Sequence, residues 1–403
     1  MGWMNPAAAG VQIGDLTAQQ AQAVSSVYAA VHTYSSTIST LGINVCHGKR
    51  GNTDGIAWDH PLQALIGSCQ WNDEQTDVAV LDYWMSSLFL RGNLYGQIIR
   101  NAFGKPLQIV PIDPDYVFPR RVDGRISYKI SNVSGQEPRE MDGQTIEAID
   151  MIHVPINWNP KVLRGIGIIA YAQVSIQSGL SLDRFAFNFF TQGATSRIVL
   201  EYPGTLDEKQ ANQIRENFEA RISGLENSHK TALIHAGLKL HQLSLAPDEC
   251  QFLESRKFTV NEVARWFGLP PSKIGGERGS GTYSNREQDA MEFVSHSIRP
   301  LCVAMEREFE RKLILPSERH KFFLQFDIDA LQETDVKTRF YKYEVGRRIG
   351  MFSANDCRAM EGLPRRNDPD GDSYSNPNIT PTSSMPSNYD DLKGSLNENG
   401  KTE

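Results

Sequence analysis

Apolar positions along the first part of this chain recur at helical spacing. Val24, Val27, Val31, Tyr34, Ile38 and Leu41 step by three and four, which predicts an amphipathic helix over residues 20–41, ended by Gly42. Val78, Leu81, Met85 and Leu88 mark a second helix, broken by Gly92-Asn93. β-prone runs follow at 95–100, 107–110 and 126–130, with turns at Asp113-Pro114-Asp115 and Asp123-Gly124. The opening third therefore reads as α+β, a helical start feeding a short-stranded antiparallel sheet.

From Gly165 the rhythm changes to long helices. One helical stretch, 165–190, carries Leu180, Leu182 and a cluster of Phe185, Phe187, Phe189 and Phe190, and Gly193 closes it. Next comes a strand at 197–202, then a helix opened by the Thr205-x-x-Glu208 capping box with Leu206, Ala211, Ile214, Phe218 and Ile222 on one side, then a strand pair turning at Ala236-Gly237. Residues 248–267 are helical again, with Asp248 and Glu249 at the positive end of the dipole and Gly268-Leu269-Pro270-Pro271 as the stop. Two helices of about 20–25 residues reach about 30–38 Å, so they hold the small β-α-β-β insert away from the main body.

A glycine-rich loop, Gly275-Gly276-Glu277-Arg278-Gly279-Ser280-Gly281-Thr282, follows. The Ser284-x-x-Glu287 box then starts a helix whose apolar face is Met291, Val294, Ile298, Leu301, Met305 and Phe309, and Pro300 is expected to kink it. A strand, Phe322–Phe326, and helices at 334–348 and 353–361 lead to a tail rich in Asn, Asp, Ser and Pro from Arg366, expected to be flexible.

Composition narrows what these elements do. The 403 residues are 40% hydrophobic and 22% charged, which is globular, and no apolar stretch approaches the ~20 residues of a membrane helix. The N-terminus has no basic region before an apolar core, so no export is implied. Five cysteines without C-x-x-C spacing suggest neither a disulfide framework nor a zinc site. A formal charge of −7 is a poor attribute for gripping nucleic acid, whose affinity comes mainly from Lys and Arg neutralising phosphates.

Several motifs carry less than their letters promise. Gly165-x-Gly167-x-x-Ala170 matches a loose dinucleotide fingerprint without the βαβ unit that fingerprint needs, and reads as a bend into a helix. The glycine-rich loop lacks the Lys-Ser/Thr of a phosphate-binding loop. His235, His241, His153 and Cys46-His47 have no partners at metal spacing. No catalytic arrangement can be singled out, and no cofactor is implied. The phenylalanine cluster reads as core or subunit interface rather than as a base-stacking platform.

The order of segments, and the wording of several of them, resembles the phage portal protein family over roughly residues 24–363. The residues that carry the resemblance are His60-Pro61-Leu62, Arg91-Gly92-Asn93-Leu94-Tyr95-Gly96 with Pro111-Ile112-Asp113-Pro114, Ile152-His153-Val154, and Phe252-Leu253-Glu254-Ser255-Arg256-Lys257-Phe258. The most specific are Ala264-Arg265-Trp266-Phe267-Gly268-Leu269-Pro270-Pro271 and Thr282-Tyr283-Ser284-Asn285-Arg286-Glu287-Gln288.

The resemblance implies an α+β fold with a wing (1–164 and 315–331), stem helices (165–192 and 248–271), a small α/β clip (193–247), a tunnel loop (272–283), a long kinked helix (284–314), a short helical crown (332–365) and a tail (366–403). It implies a ring of about twelve copies at one capsid vertex. Double-stranded DNA passes through that ring without sequence specificity during packaging and ejection. Implied partners are the large terminase subunit, the major capsid protein with its scaffold, and head-completion or adaptor proteins. On this reading the protein is not an enzyme, and it sits in the virion after assembly in the host cytoplasm.

The tunnel-loop residues Glu277, Arg278, Gly279, Ser280, Gly281, Thr282 and Arg286 would face the DNA. Arg215, Glu219 and Arg221 on the clip helix would serve docking. An acidic chain suits passage over binding, since strong phosphate grips from every copy would hold the duplex still. Two other classes remain open at this point: an enzyme acting on nucleotides or nucleic acid, told apart by nucleotide-dependent turnover, and an adaptor or scaffolding ring that never meets DNA, told apart by channel width.

Overall fold

The computed structural model describes residues 16–50, 52–131, 143–191, 197–201, 207–222, 239–243, 249–276, 289–332, 336–368 and 370–374. They fall into two compact units, 1–328 and 329–403.

The first unit opens with α1 (Ala18–Gln22) and α2 (Ser25–Ser39), so the predicted helix is interrupted at Ala23-Val24. Thr17 begins α1 with a complete capping box to Gln20. Next come β1 (Ile43–Lys49), β2 (Asn52–Ile56), α3 (Pro61–Ile66) and α4 (Asp77–Arg91). Thr76 caps α4, Asp77 and Arg91 complement its dipole, and Gly92 ends it at φ +79°, a conformation suited to glycine. The chain reverses there into β3 (Asn93–Arg100), which pairs with β4 (Pro106–Ile112).

After β4 come β5 (Val117–Val122), β6 (Arg125–Ile130), β7 (Thr145–Glu147) and β8 (Met151–Pro155). The sheet orders are β4-β3-β8 and β5-β6-β7, both antiparallel. A cluster of Tyr95, Ile112, Tyr116, Val117, Tyr128, Ile130, Ile146 and Met151 joins the two sheets. Gly96 is where the Trp84 ring lies against β3: a Cβ there would come within 2.5 Å of the indole, whose N–H donates to Tyr95 O at 2.9 Å.

The hairpin β9 (Trp158–Asn159) and β10 (Arg164–Gly165) leads to α5 (Ile168–Tyr171) and α6 (Gln173–Thr191). The insert comprises β11 (Arg197–Glu201), α7 (Glu208–Ile222) and β12 (Lys239–Leu243), with β11 and β12 antiparallel. The Ala236-Gly237 turn lies outside the described residues. Helix α8 (Glu249–Phe267) returns to the body.

From residue 289 one continuous helical run leads into α9 (Arg299–Leu313). The disturbance expected at Pro300 takes the form of a π-helical turn, Phe293–Ile298. Pro300 has no N–H and crowds the carbonyl four residues back, and the wider turn relieves both faults without ending the helix.

Strand β13 (Phe322–Phe326) pairs antiparallel with β1, from Ile43↔Phe326 to His47↔Phe322, giving the order β13-β1-β2. As an edge strand it turns unpaired amides outward, and α9 supplies their partners. Glu306 accepts from Phe326 N at 2.7 Å and Glu310 from Leu324 N at 3.3 Å. Arg50 bridges both carboxylates and donates to Leu324 O at 3.0 Å. Glu306 is 1% exposed, so its charge is tolerated only because Arg50 and the Phe326 amide meet it.

The second unit holds α10 (Val336–Arg348) and α11 (Ala354–Met360). Ser353 and Asp356 form a capping box on α11, and the hydrogen bonds from Ser353 hold the Asp356 carboxyl below its usual pKa. Asn355, 1% exposed, binds Arg366 through both its side-chain amide and its carbonyl and also reaches Gly371 and Asp372. Residues 366–374, expected to open a flexible tail, are thus tied to α11 as far as they are described; 375–403 lie outside.

Replacing Glu306 tests the edge closure. Glu306→Leu strands the Phe326 amide and half of Arg50, and is expected to cost about 3–5 kcal/mol. Glu306→Gln keeps an acceptor and is expected to cost about 1–2 kcal/mol. Urea unfolding followed by tryptophan fluorescence reads the difference, because Trp71 and Trp84 both pack on Phe309 of the same helix.

Candidate functional site

Helices α6 and α8 form an antiparallel pair. Gly179 lets them close: a Cβ there would sit 3.1 Å from Thr259 Cγ2. On either side of this crossing Asp183 pairs with Arg256 at 2.7 Å, and Ser175 accepts from Trp266 Nε1 at 3.2 Å. The pair leaves much apolar surface in water, with Val174 57%, Phe258 64% and Phe187 67% exposed. A groove of 1030 Å³ runs along it, lined by Val174, Gln177, Leu182 and Phe258 among others. Phe185 and Phe187 are both exposed, so neither belongs to the core of the single chain; the side chains of Phe189 and Phe190 are outside the described residues.

The end of α8 is fastened firmly. Gly268 turns the chain at φ +66°, Leu269 N donates back to Ala264 O, and Tyr34 of α2 donates its hydroxyl to Phe267 O at 2.7 Å. Burial raises the Tyr34 pKa. Pro271–Ile274 forms a 3-10 turn that buries Ile274 and ends at Gly275, φ +87°. On the far side of the glycine-rich loop, Ser297 Oγ donates to Gly268 O at 2.8 Å, so both flanks of the loop meet at one point on the body. Between them lies a groove of 470 Å³ edged by Asp289, Glu292 and His296.

The start of the pair is fastened by backbone contact. Gly92, Gly165 and Gly167 cross so closely that a Cβ on Gly165 would lie 2.2 Å from Gly92 O, and one on Gly92 2.4 Å from Gly167 N. This explains the glycines of the fingerprint-like motif: a short strand, β10, does precede it, but in a two-stranded hairpin, and the glycines serve chain crossing. Asn93 locks the joint, accepting from Gly165 N at 2.7 Å and donating to Gly165 O and Arg91 O.

Behind Asn93 is a buried polar cluster that periodicity could not reveal. The His153 ring meets Asn93 Oδ1 at 3.1 Å and the Tyr128 hydroxyl at 3.2 Å, and stacks on Tyr95 with centroids 4.4 Å apart. Its backbone N–H donates to Glu308 of α9, which also meets Arg311 and Lys312. Lys312 donates to Ala148 O. Burial, reinforced by Arg164, Lys312 and Arg311, drives the His153 pKa down to about 3, so the ring stays neutral. Burial likewise raises the Glu308 carboxyl and lowers the Lys312 ammonium. The only available signal was Ile152-His153-Val154 in an otherwise apolar run.

The expected site residues divide accordingly. Glu277, Arg278, Gly279, Ser280, Gly281, Thr282 and Arg286 lie outside the described residues, though both flanks of their loop are seen. Arg215, Glu219 and Arg221 belong to α7, with their side chains outside the described set. On an ideal helix Arg215 and Glu219 share a face, and Arg221 does not. No described helix is long and apolar enough to cross a membrane.

A family model described as phage portal protein matches residues 25–362. The probable portal protein of Streptomyces phage phiC31 is 29% identical over 373 residues, which are 89% of this chain and 79% of that one. An HK97-family phage portal protein from Corynebacterium diphtheriae has a similar structure, with TM-score 0.59 and 17% identity over 80% of this chain and 99% of that one. So does a chain in the neck of a native gene transfer agent particle computed with C12 symmetry, with TM-score 0.52 and 16% identity over 89% and 98%. At these identities the structural likenesses establish the fold: α+β, of the portal type.

The buried His153 predicts an acid-sensitive joint. Its pKa is near 6.5 when unfolded and about 3 when folded, so the unfolded chain takes up a proton that the folded chain refuses as pH falls below 6.5. Between pH 7 and pH 5 the unaltered chain is expected to lose about 2 kcal/mol more stability than His153→Gln. Urea midpoints at the two pH values check this.

Proposed function

The chain belongs to the phage portal protein family, and on that premise we propose that it forms a closed ring of about twelve copies at one capsid vertex, the passage for double-stranded DNA into and out of the head. The observation that carries this reading is the α6–α8 pair. Two helices carry aromatic and aliphatic side chains exposed on more than one side that nothing among the described residues covers, and a ring of copies would do so. The C12 symmetry of the related gene transfer agent neck supports the copy number.

Within that ring α6 and α8 are the stem, the β11-α7-β12 insert is the clip, and residues 272–283 are the tunnel loop. Arg215, Glu219 and Arg221 on the clip offer docking positions for the terminase and for head-completion proteins. The residues from 289 through α9, with β13, return the chain to the wing. The protein acts as a structural component of the virion rather than as an enzyme. The net charge of −7 on every copy favours a conduit, because a duplex slides where it is not gripped.

Light scattering tests the ring. The purified protein is expected as a large closed assembly, and a stable 45.1 kDa monomer at micromolar concentration would refute the reading. Val174→Asp with Phe258→Asp is expected to weaken association at least about tenfold while leaving circular dichroism unchanged, since both side chains are exposed in the single chain.

The tunnel loop has a separate test. Its flanks are tied together at Gly268 and Ser297, and glycine, lacking a Cβ, tolerates backbone angles that proline forbids. Gly279→Pro with Gly281→Pro is expected to spare assembly and reduce packaging or retention of a defined genome length. Arg278→Ala costs less, because one exposed phosphate contact is screened at physiological salt. Normal packaging by the double-proline variant would return the loop to a plain connector.

A further inference from the structure

The second unit carries a groove that the ring reading leaves unused. It lies between α10 and α11, measures 550 Å³, and has Phe340, Tyr343, Cys357 and Leu363 along its apolar floor. Phe340 is 55% and Leu363 50% exposed, a large apolar fraction for a unit of two short helices.

The groove's rim is cationic. Arg347 and Arg358 donate to the carbonyls of Ser373 and Pro364, which orient the guanidiniums without cancelling their charge. Arg366 is paired with Asp368, and Glu361 is engaged by Arg339 and by the Tyr343 hydroxyl. Glu344 is the remaining carboxylate on the lining. A matching ligand is therefore amphipathic, with two or three apolar anchors and acidic groups beside them.

The chain carries such a sequence beyond its last described residue, Tyr374. Tyr389, Leu392 and Leu396 stand at i, i+3 and i+7, the anchor spacing of a segment that lies along a groove, and Asp390 and Asp391 fall between the first two anchors. We propose that residues 388–396 of the same chain dock between α10 and α11, their three apolar side chains on the Phe340–Leu363 floor and the two aspartates toward Arg347 and Arg358.

The intervening 375–387 can span about 43 Å when extended, more than twice the length of the 13-residue α10 at about 20 Å. A tether of this length gives an effective concentration in the millimolar range. Even a dissociation constant near 0.1 mM would then keep the groove about nine-tenths occupied.

Cys357 reports on occupancy because it lines the groove. The full-length protein is labelled with a maleimide, and rates at Cys357 and at the exposed Cys69 are read peptide by peptide by mass spectrometry. Leu392→Asp with Leu396→Asp is expected to speed labelling of Cys357 about tenfold and leave Cys69 unchanged. Asp390→Arg with Asp391→Arg should act in the same direction, and adding Arg358→Glu should restore much of the slow rate. A Cys357 rate indifferent to both tail variants overturns the proposal. Ring mass is measured on the same samples, so a failure here is distinct from a failure of the ring.

Discussion

The first unit depends on one helix completing two sheets whose edges would otherwise be open. Strand β13 ends one sheet and β8 ends another, and α9 lies against both with Glu306, Glu308 and Glu310. Each carboxylate takes a backbone N–H that has no strand beside it. Buried carboxylates are costly when isolated and tolerable when met by cations and amides, which is why Arg50, Arg311 and Lys312 accompany them. Aggregation-prone edges are covered in the same act.

This arrangement joins distant parts of the chain. Residues 43–49 and 322–326 share a sheet, and the helix between the loop and that strand also reaches His153 and Ala148. The Asn93 joint, where the polypeptide leaves for α6, rests on the same His153. The α6–α8 pair is thus rooted at one end by both of its helices: by glycine backbone crossing at Gly92, Gly165 and Gly167 where the chain enters α6, and by Tyr34 and Ser297 where it leaves α8. The flanks of the glycine-rich loop, 268–276 and 289–297, are packed and hydrogen-bonded to the body.

The surface chemistry divides in the same way. The polar networks are buried in the body, while the α6–α8 pair turns aromatic side chains to solvent. Large exposed apolar faces on a chain with abundant core elsewhere signify association rather than poor folding. The small C-terminal unit shows this in miniature, with one buried asparagine ordering its turn and an apolar groove beside it.

By itself the sequence determined the elements with strong local signals. The strand Phe322–Phe326 is found with those bounds, α4 ends at the glycine that punctuates it, and α8 stops before Gly268-Leu269-Pro270-Pro271, because spacing, caps and breakers act over a few residues. The resemblance in wording over most of the chain placed it in its family before any coordinates. Only tertiary structure decided that β13 pairs with β1, that Gly165 and Gly167 permit a chain crossing, that Pro300 is absorbed by a π turn, and that Glu306, Glu308, Lys312 and His153 are interior. Each of these depends on a partner far away in sequence: β13 meets a strand about 280 residues earlier, and Glu308 a histidine 155 residues away. A charged residue on a helix carries no local mark of whether water or a sheet edge will face it, since its burial is set by packing between elements.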